Sequence, residues 1–95
     1  MIPLFKFKID GHSMEPALLN GSSVLVSNIP YLFVKSKVGD IIAFKIEEKI
    51  FIKRIAKING EKYFVKGDNT RDSRDSRKIG WVSKERIVGK VMFKL

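Results

Sequence analysis

Residues 41–66 read IIAFKIEEKIFIKRIAKINGEKYFVK, and this stretch decides the fold. The run IIAFKI is rich in β-branched residues and follows the turn-forming pair Gly39-Asp40, so it reads as a strand. Glu47-Glu48-Lys49 breaks the pattern as a turn into a second strand, IFIKRIAKI. Asn59-Gly60 is a strong hairpin signal and leads to a third strand, KYFVK.

The same period continues outward on both sides. Near the start, Phe5, Phe7 and Ile9 fall on one side of an extended segment and Lys6 and Lys8 on the other, as a half-buried strand requires. SVLVSN (23–28) reads as a further strand, and RIVGKVMFKL (86–95) returns to strand character. Between the first two strands, MEPALLN (14–20) is expected to make a helical turn, capped by Ser13 and ended by Asn20-Gly21. IPYLFVKSKV (29–38) reads as an irregular apolar connection, with Tyr31 to Val34 packing in the core, lining a pocket or touching a membrane surface. GDNTRDSRDSRK (67–78) has no periodicity and reads as a long loop. The expectation is a mostly β domain spanning residues 1–95, with six or seven short strands and one or two helical turns.

A chain of 95 residues that is 44% hydrophobic carries one modest core. It contains no cysteine and a single histidine, His12, so neither disulfides nor a structural zinc are expected to reinforce that core. Nineteen basic against 10 acidic residues give a net charge of +9, a field that attracts phosphates, anionic lipid or acidic protein surfaces without choosing among them. No apolar run approaches the roughly 20 residues of a membrane span, and MIPLFKFKID lacks the apolar core of a secretion signal. The location expected from this is cytoplasmic or peripheral to a membrane.

Ser13 stands in Gly11-His12-Ser13-Met14-Glu15-Pro16, between a strand and a turn, where its hydroxyl is exposed and nearby N–H groups can stabilise an oxyanion. Taken alone it reads more readily as a plain helix cap, and the motif needs partners. His12 is a poor partner for it, because neighbouring side chains in extended structure point to opposite faces. Lys53 is more informative: if IFIKRIAKI is a strand, Phe51, Lys53 and Ile55 share a face, so the lysine projects among apolar neighbours. Burial lowers a lysine pKa. At the reference value near 10.4 only about one lysine in two thousand is neutral at pH 7; a downward shift of roughly three units makes the free amine common and costs about 4 kcal/mol of stability. Such an amine can deprotonate a serine. The same pattern also fits a lysine that snorkels from an edge strand. Arg54 stays charged and cannot serve as base. In the polar loop, Ser73 offers a hydroxyl to a buried amine, and an Asp75-Arg77 ion pair can pin the loop; a solvated loop or an Arg-Ser segment touching RNA is the other reading.

Four segments in order resemble a single family. They are GHSMEPALLNGSSVLV (11–26), VGDIIAFK (38–45), IKRIAKINGE (52–61), and KGDNTRDSRDSR (66–77) followed by IGWVSKERIVGKV (79–91). The family is that of the type I signal peptidases, which share a fold and a Ser-Lys dyad with LexA-type self-cleaving domains. The resemblance implies coiled antiparallel sheets or a partly open barrel, Ser13 as nucleophile and Lys53 as general base. It implies that Ser73 hydrogen-bonds the lysine amine, that Asp68, Asn69, Asp75 and Arg77 form the framework of the site, and that the backbone N–H of Ser13 is the main oxyanion donor. No metal or other cofactor is implied. Ala17 stands where the family often has Thr, Asn20-Gly21-Ser22 replaces a common Gly-Asp, and Gly11 takes the place of a serine that helps hold the oxyanion in some members.

In size the chain is similar to the smallest family members, including the maturation proteases of nickel-type superoxide dismutase. The partner this implies is a protein or peptide bearing an N-terminal leader, cut after small residues such as Ala, with peripheral contact to anionic membrane as a further expectation. Self-cleavage is disfavoured, since only 12 residues precede Ser13. The alternative of another class is a small basic β-barrel binding nucleic acid, with Phe5, Phe7, Tyr63 and Trp81 as stacking surfaces. It gives no reason for Ser13, Lys53 and the Gly-Asp-Asn loop to occur together.

Overall fold

A computed structural model describes residues 4–69 and 81–95 of the chain. In chain order the elements are β1 (Phe5–Lys8), β2 (Ser23–Ser27), a one-turn helix α1 (Pro30–Phe33), β3 (Ile41–Ile46), β4 (Lys49–Asn59), β5 (Lys62–Lys66), β6 (Val82–Ser83), a 3-10 turn (Lys84–Arg86) and β7 (Ile87–Lys94). Among the described residues the strands form one antiparallel sheet in the order β1-β2-β7-β3-β4-β5-β6. The mostly β architecture expected from period-2 alternation is what the chain adopts, as an open sheet.

The central meander follows the sequence closely, with one adjustment at each turn. Lys49 already pairs with Ile46, so the first turn is Glu47-Glu48, and Glu47 takes a φ of 55° that non-glycine residues rarely adopt. In the second, Asn59 pairs with Lys62 and Gly60 supplies the positive φ of 63°. Register shifts at Leu25/Val26, Ala43/Phe44 and Ile55/Lys57 bend the ladders, and bulges of this kind let a sheet coil around its own core.

β7 inserts between β2 and β3, so the end of the described chain ties its two halves together. The insertion is tight at Gly89, which pairs with Ala43 and on which a Cβ would meet the Ser27 carbonyl oxygen at 2.6 Å. Two apolar clusters result. One gathers Ile9, Met14, Leu18, Val24, Val26 and Ala43; the other gathers Ile42, Phe44, Ile55, Tyr63, Val65 and Val82. Alternate residues of β3 therefore serve different clusters, which is why IIAFKI reads as a continuous apolar run.

Three local expectations need correction. Residues 14–20 make the expected turn, with Leu18 N–H donating to Met14 O at 2.9 Å, but the Ser13 hydroxyl is engaged by Lys53 instead of capping it. The short helix lies in the 29–38 connection, where Pro30 pre-sets the first turn and Val34 N–H closes it on Pro30 O at 2.9 Å. On β1, Phe5 is exposed, Phe7 half-buried and Ile9 buried, because cover is supplied at the Ile9 end by Met14 and Leu18. No helix among the described residues is long and apolar enough to cross a membrane.

Candidate functional site

The site begins with a loop whose ends are fastened. Ile9 N–H donates to Ser22 O at 2.7 Å and Gly21 N–H to Ile9 O at 2.9 Å, which prolongs the β1–β2 pairing and closes residues 10–21 at the neck. Inside the loop, Asn20 Oδ1 accepts from Gly11 N–H at 2.9 Å, and Glu15 Oε2 accepts from Asn20 N–H at 3.2 Å. Glu15 Oε1 lies 2.9 Å from His12 Nδ1. These contacts hold the Glu15 carboxyl below its ordinary 4.5, the Asn20 N–H contributing most and His12 next. Met14 and Leu18, 2% and 4% exposed, anchor the loop in the first cluster. Ser13 is thus fixed by a buried neighbour on one side and an exposed turn histidine on the other.

Lys53 reaches it from the middle of β4. Its residue is 4% exposed and pairs with the fully buried Ile42, and its Nζ donates to Ser13 Oγ at 2.8 Å across 40 residues of sequence. Of the two readings of Lys53 open at the sequence level, the buried one is what the fold adopts.

Arg54 turns to the other face of β4, as alternation dictates. Its Nε and Nη2 donate to the two carboxylate oxygens of Asp68, each at 2.8 Å, and Nη1 donates to Gly39 O at 2.8 Å. The Asp68 hydrogen bonds raise the already high pKa of the guanidinium. Next to Asp68, Asn69 N–H donates to Ser13 O at 2.8 Å, and Asn69 Nδ2 donates to His12 O at 3.0 Å. Consecutive residues of one strand therefore act on the same serine: Lys53 on its hydroxyl, Arg54 on its backbone by way of Asp68 and Asn69.

Ser13 and Lys53 both line a cavity of about 300 Å³ bordered by residues 7–14 and 50–53. Both walls are strand edges. β1 pairs with β2 alone, and β4 pairs with β3 over residues 49–54 but with β5 over 54–59, so one edge of residues 49–53 has no strand partner among the described residues. A second cavity, of about 360 Å³, lies beside Tyr31 and Tyr63. Burial, then the neighbouring Asp40 carboxylate, pushes the Tyr31 phenol above its ordinary range, and its O–H donates to Asp40 Oδ2 at 2.8 Å. That cavity brings no hydroxyl against a buried amine.

Of the residues singled out in the sequence, Ser13, Lys53, Asp68 and Asn69 lie close together; Ser73, Asp75 and Arg77 lie outside the described residues. Among the described residues no group of three or more His, Cys, Asp or Glu is arranged to hold a metal. Of the aromatics weighed as nucleic-acid stacking surfaces, Tyr63 is in the core, Phe7 packs against the core, and Trp81 packs edge-on against Phe64. Arg54 is the residue that sequence reasoning undervalued. The signal was present in the Lys-Arg pair, since a strand must point the second cation away from the first.

The family model for signal peptidases, peptidase S26, matches residues 1–62 and 56–95, which together span the chain. What fold and match define first is a class, a signal-peptidase-like serine peptidase. The chain belongs to the signal peptidase family, peptidase S26. A search of the curated proteins finds no match.

Proposed function

We propose that this protein is an endopeptidase with a Ser-Lys dyad that removes an N-terminal leader from a partner protein, cutting after small residues. The observation that carries the reading is the 2.8 Å contact between the Ser13 hydroxyl and the buried Lys53 amine. Burial disfavours the ammonium, so the amine takes up the role of acceptor. Lys53 removes the Oγ proton as Oγ attacks the scissile carbonyl; the Ser13 N–H stabilises the oxyanion. The ammonium then returns its proton to the leaving amine, and water, deprotonated by the same lysine, hydrolyses the acyl-enzyme.

The two open edges support an extended substrate. A peptide lying between β1 and the first half of β4 gains backbone hydrogen bonds from both walls, while pockets take alternate side chains. Phe7, Ile9 and Ile52 give the cavity an apolar inner surface on which small side chains can pack. The experiment is cleavage of a leader-bearing substrate by the wild type, Ser13→Ala and Lys53→Ala, with circular dichroism of each. Loss of cleavage in both variants with an unchanged spectrum is the expected result; full activity in either ends the proposal.

A further inference from the structure

The outer edge of β1 has two faces, and substrate pairing at the apolar one accounts for half of it. Alternation places Lys6, Lys8 and Asp10 on the opposite face from Phe7 and Ile9, and all three are exposed. Across the ladder, Lys6 faces Leu25 and Lys8 faces Ser23, so the neighbouring strand presents neither lysine with a carboxylate. Neither enters an ion pair among the described residues. A strand added at this edge runs its outward side chains past a row that reads plus, plus, minus toward Ser13.

We propose that the protein selects leaders with acidic side chains at two alternate outward positions, beside Lys6 and Lys8, and a non-acidic one beside Asp10, nearest the scissile bond. The inference rests on the peptidase reading and names its substrate class: an acidic extended peptide. Cross-strand pairs of opposite charge favour pairing by roughly 1.4- to 5-fold each, and like charges disfavour it to a similar extent. The net charge of +9 acts in the same direction during encounter. A leader rich in lysine on that face is repelled by both.

The test uses three leader peptides that differ only at the two positions, carrying two Glu, two Gln or two Lys. At low ionic strength kcat/KM is expected to fall in the order Glu, Gln, Lys, with a span from Glu to Lys of at least about fourfold, and the span should collapse near 1 M salt. Lys6→Glu/Lys8→Glu is expected to reverse the order. Lys62→Glu/Lys66→Glu makes the same change of net charge on exposed positions of β5, near the other end of the sheet, and should leave the order standing. Binding of the labelled peptides to Ser13→Ala, read by fluorescence anisotropy, reports the order without turnover. Peptides bound in the order Glu over Lys but never cut would overturn the peptidase reading and uphold the charge selection. Equal handling of the Glu and Lys peptides, an order that survives the Lys6/Lys8 reversal, or an order lost equally in the Lys62/Lys66 variant overturns the charge selection; peptides that neither bind nor are cut overturn both.

Discussion

The two sides of β4 at its midpoint treat a cation in opposite ways. Lys53 is 4% exposed and meets the Ser13 hydroxyl; Arg54, its neighbour, is partly exposed and grips a carboxylate with two parallel hydrogen bonds. Burial opposes a charge on one side, and a carboxylate favours one on the other. The residue types follow: an amine can give up its proton when desolvated, whereas a guanidinium cannot and offers a planar fork that fits a carboxylate. The lesson is that a single peptide bond can separate a buried amine from a partly exposed ion pair.

The largest test removes the chemistry and spares the packing. Lys53→Met keeps a chain of similar volume and eliminates a buried amine, so cleavage should fall by about 10³-fold or more while the melting temperature holds or rises. Ser13→Ala should match the loss of activity. Cleavage above a tenth of wild type in the methionine variant would remove the lysine from the mechanism.

Exchanging the two cations probes the contrast directly. Lys53→Arg places a permanent charge where burial opposes one, and it should cost several kcal/mol of stability as well as all activity. Arg54→Lys keeps the charge and loses the fork; on a partly exposed pair the stability cost should be about 1 kcal/mol or less. Activity should still fall, by roughly tenfold on the scale of a positioning contact, because the Asp68-Asn69 segment that holds Ser13 loosens. Chemical denaturation and kcat measured together distinguish the two, and equal stability losses would contradict the asymmetry between the faces.

The pH dependence sharpens the Lys53 side further. The dyad proposal requires an uncharged amine near neutral pH, so kcat/KM should rise with pH and level off below the ordinary lysine range. On the same proposal stability moves with the same sign, since a lysine pKa lowered by folding makes this contribution improve as pH climbs from the folded toward the unfolded value. A rate still climbing above pH 10 would show that the amine is not perturbed.

These contrasts were unevenly legible in the sequence. The central meander could be read because period-2 alternation and two turn signals are local, and Lys53 fell on an apolar face by the same count. Its partner could not, since no periodicity relates Ser13 to a residue 40 positions away; the resemblance of four ordered segments supplied that link. The placement of β7 between β2 and β3, and the Gly89 approach that permits it, are long-range facts with no local trace. The two-residue β6 is too short to show a period. Arg54 lay between these extremes: alternation gave its direction, and only the fold says which carboxylate it meets.

The smallest effect lies in the loop that presents Ser13. Glu15 is held below its ordinary 4.5 by Asn20 N–H and His12, so it binds fewer protons folded than unfolded. The stability it contributes is therefore fully present above the unfolded value and disappears as pH falls through the folded one. Glu15→Gln should lower the melting temperature slightly at pH 7, and the gap to wild type should narrow steadily as pH falls below 4. The carboxylate spans His12 and Asn20, on both sides of Ser13, so the same substitution should reduce kcat by a small factor at neutral pH. A gap in melting temperature that stays constant from pH 7 to pH 3 would mean that the loop is held by Met14 and Leu18 alone, with the exposed hydrogen bonds adding nothing to the placement of the serine.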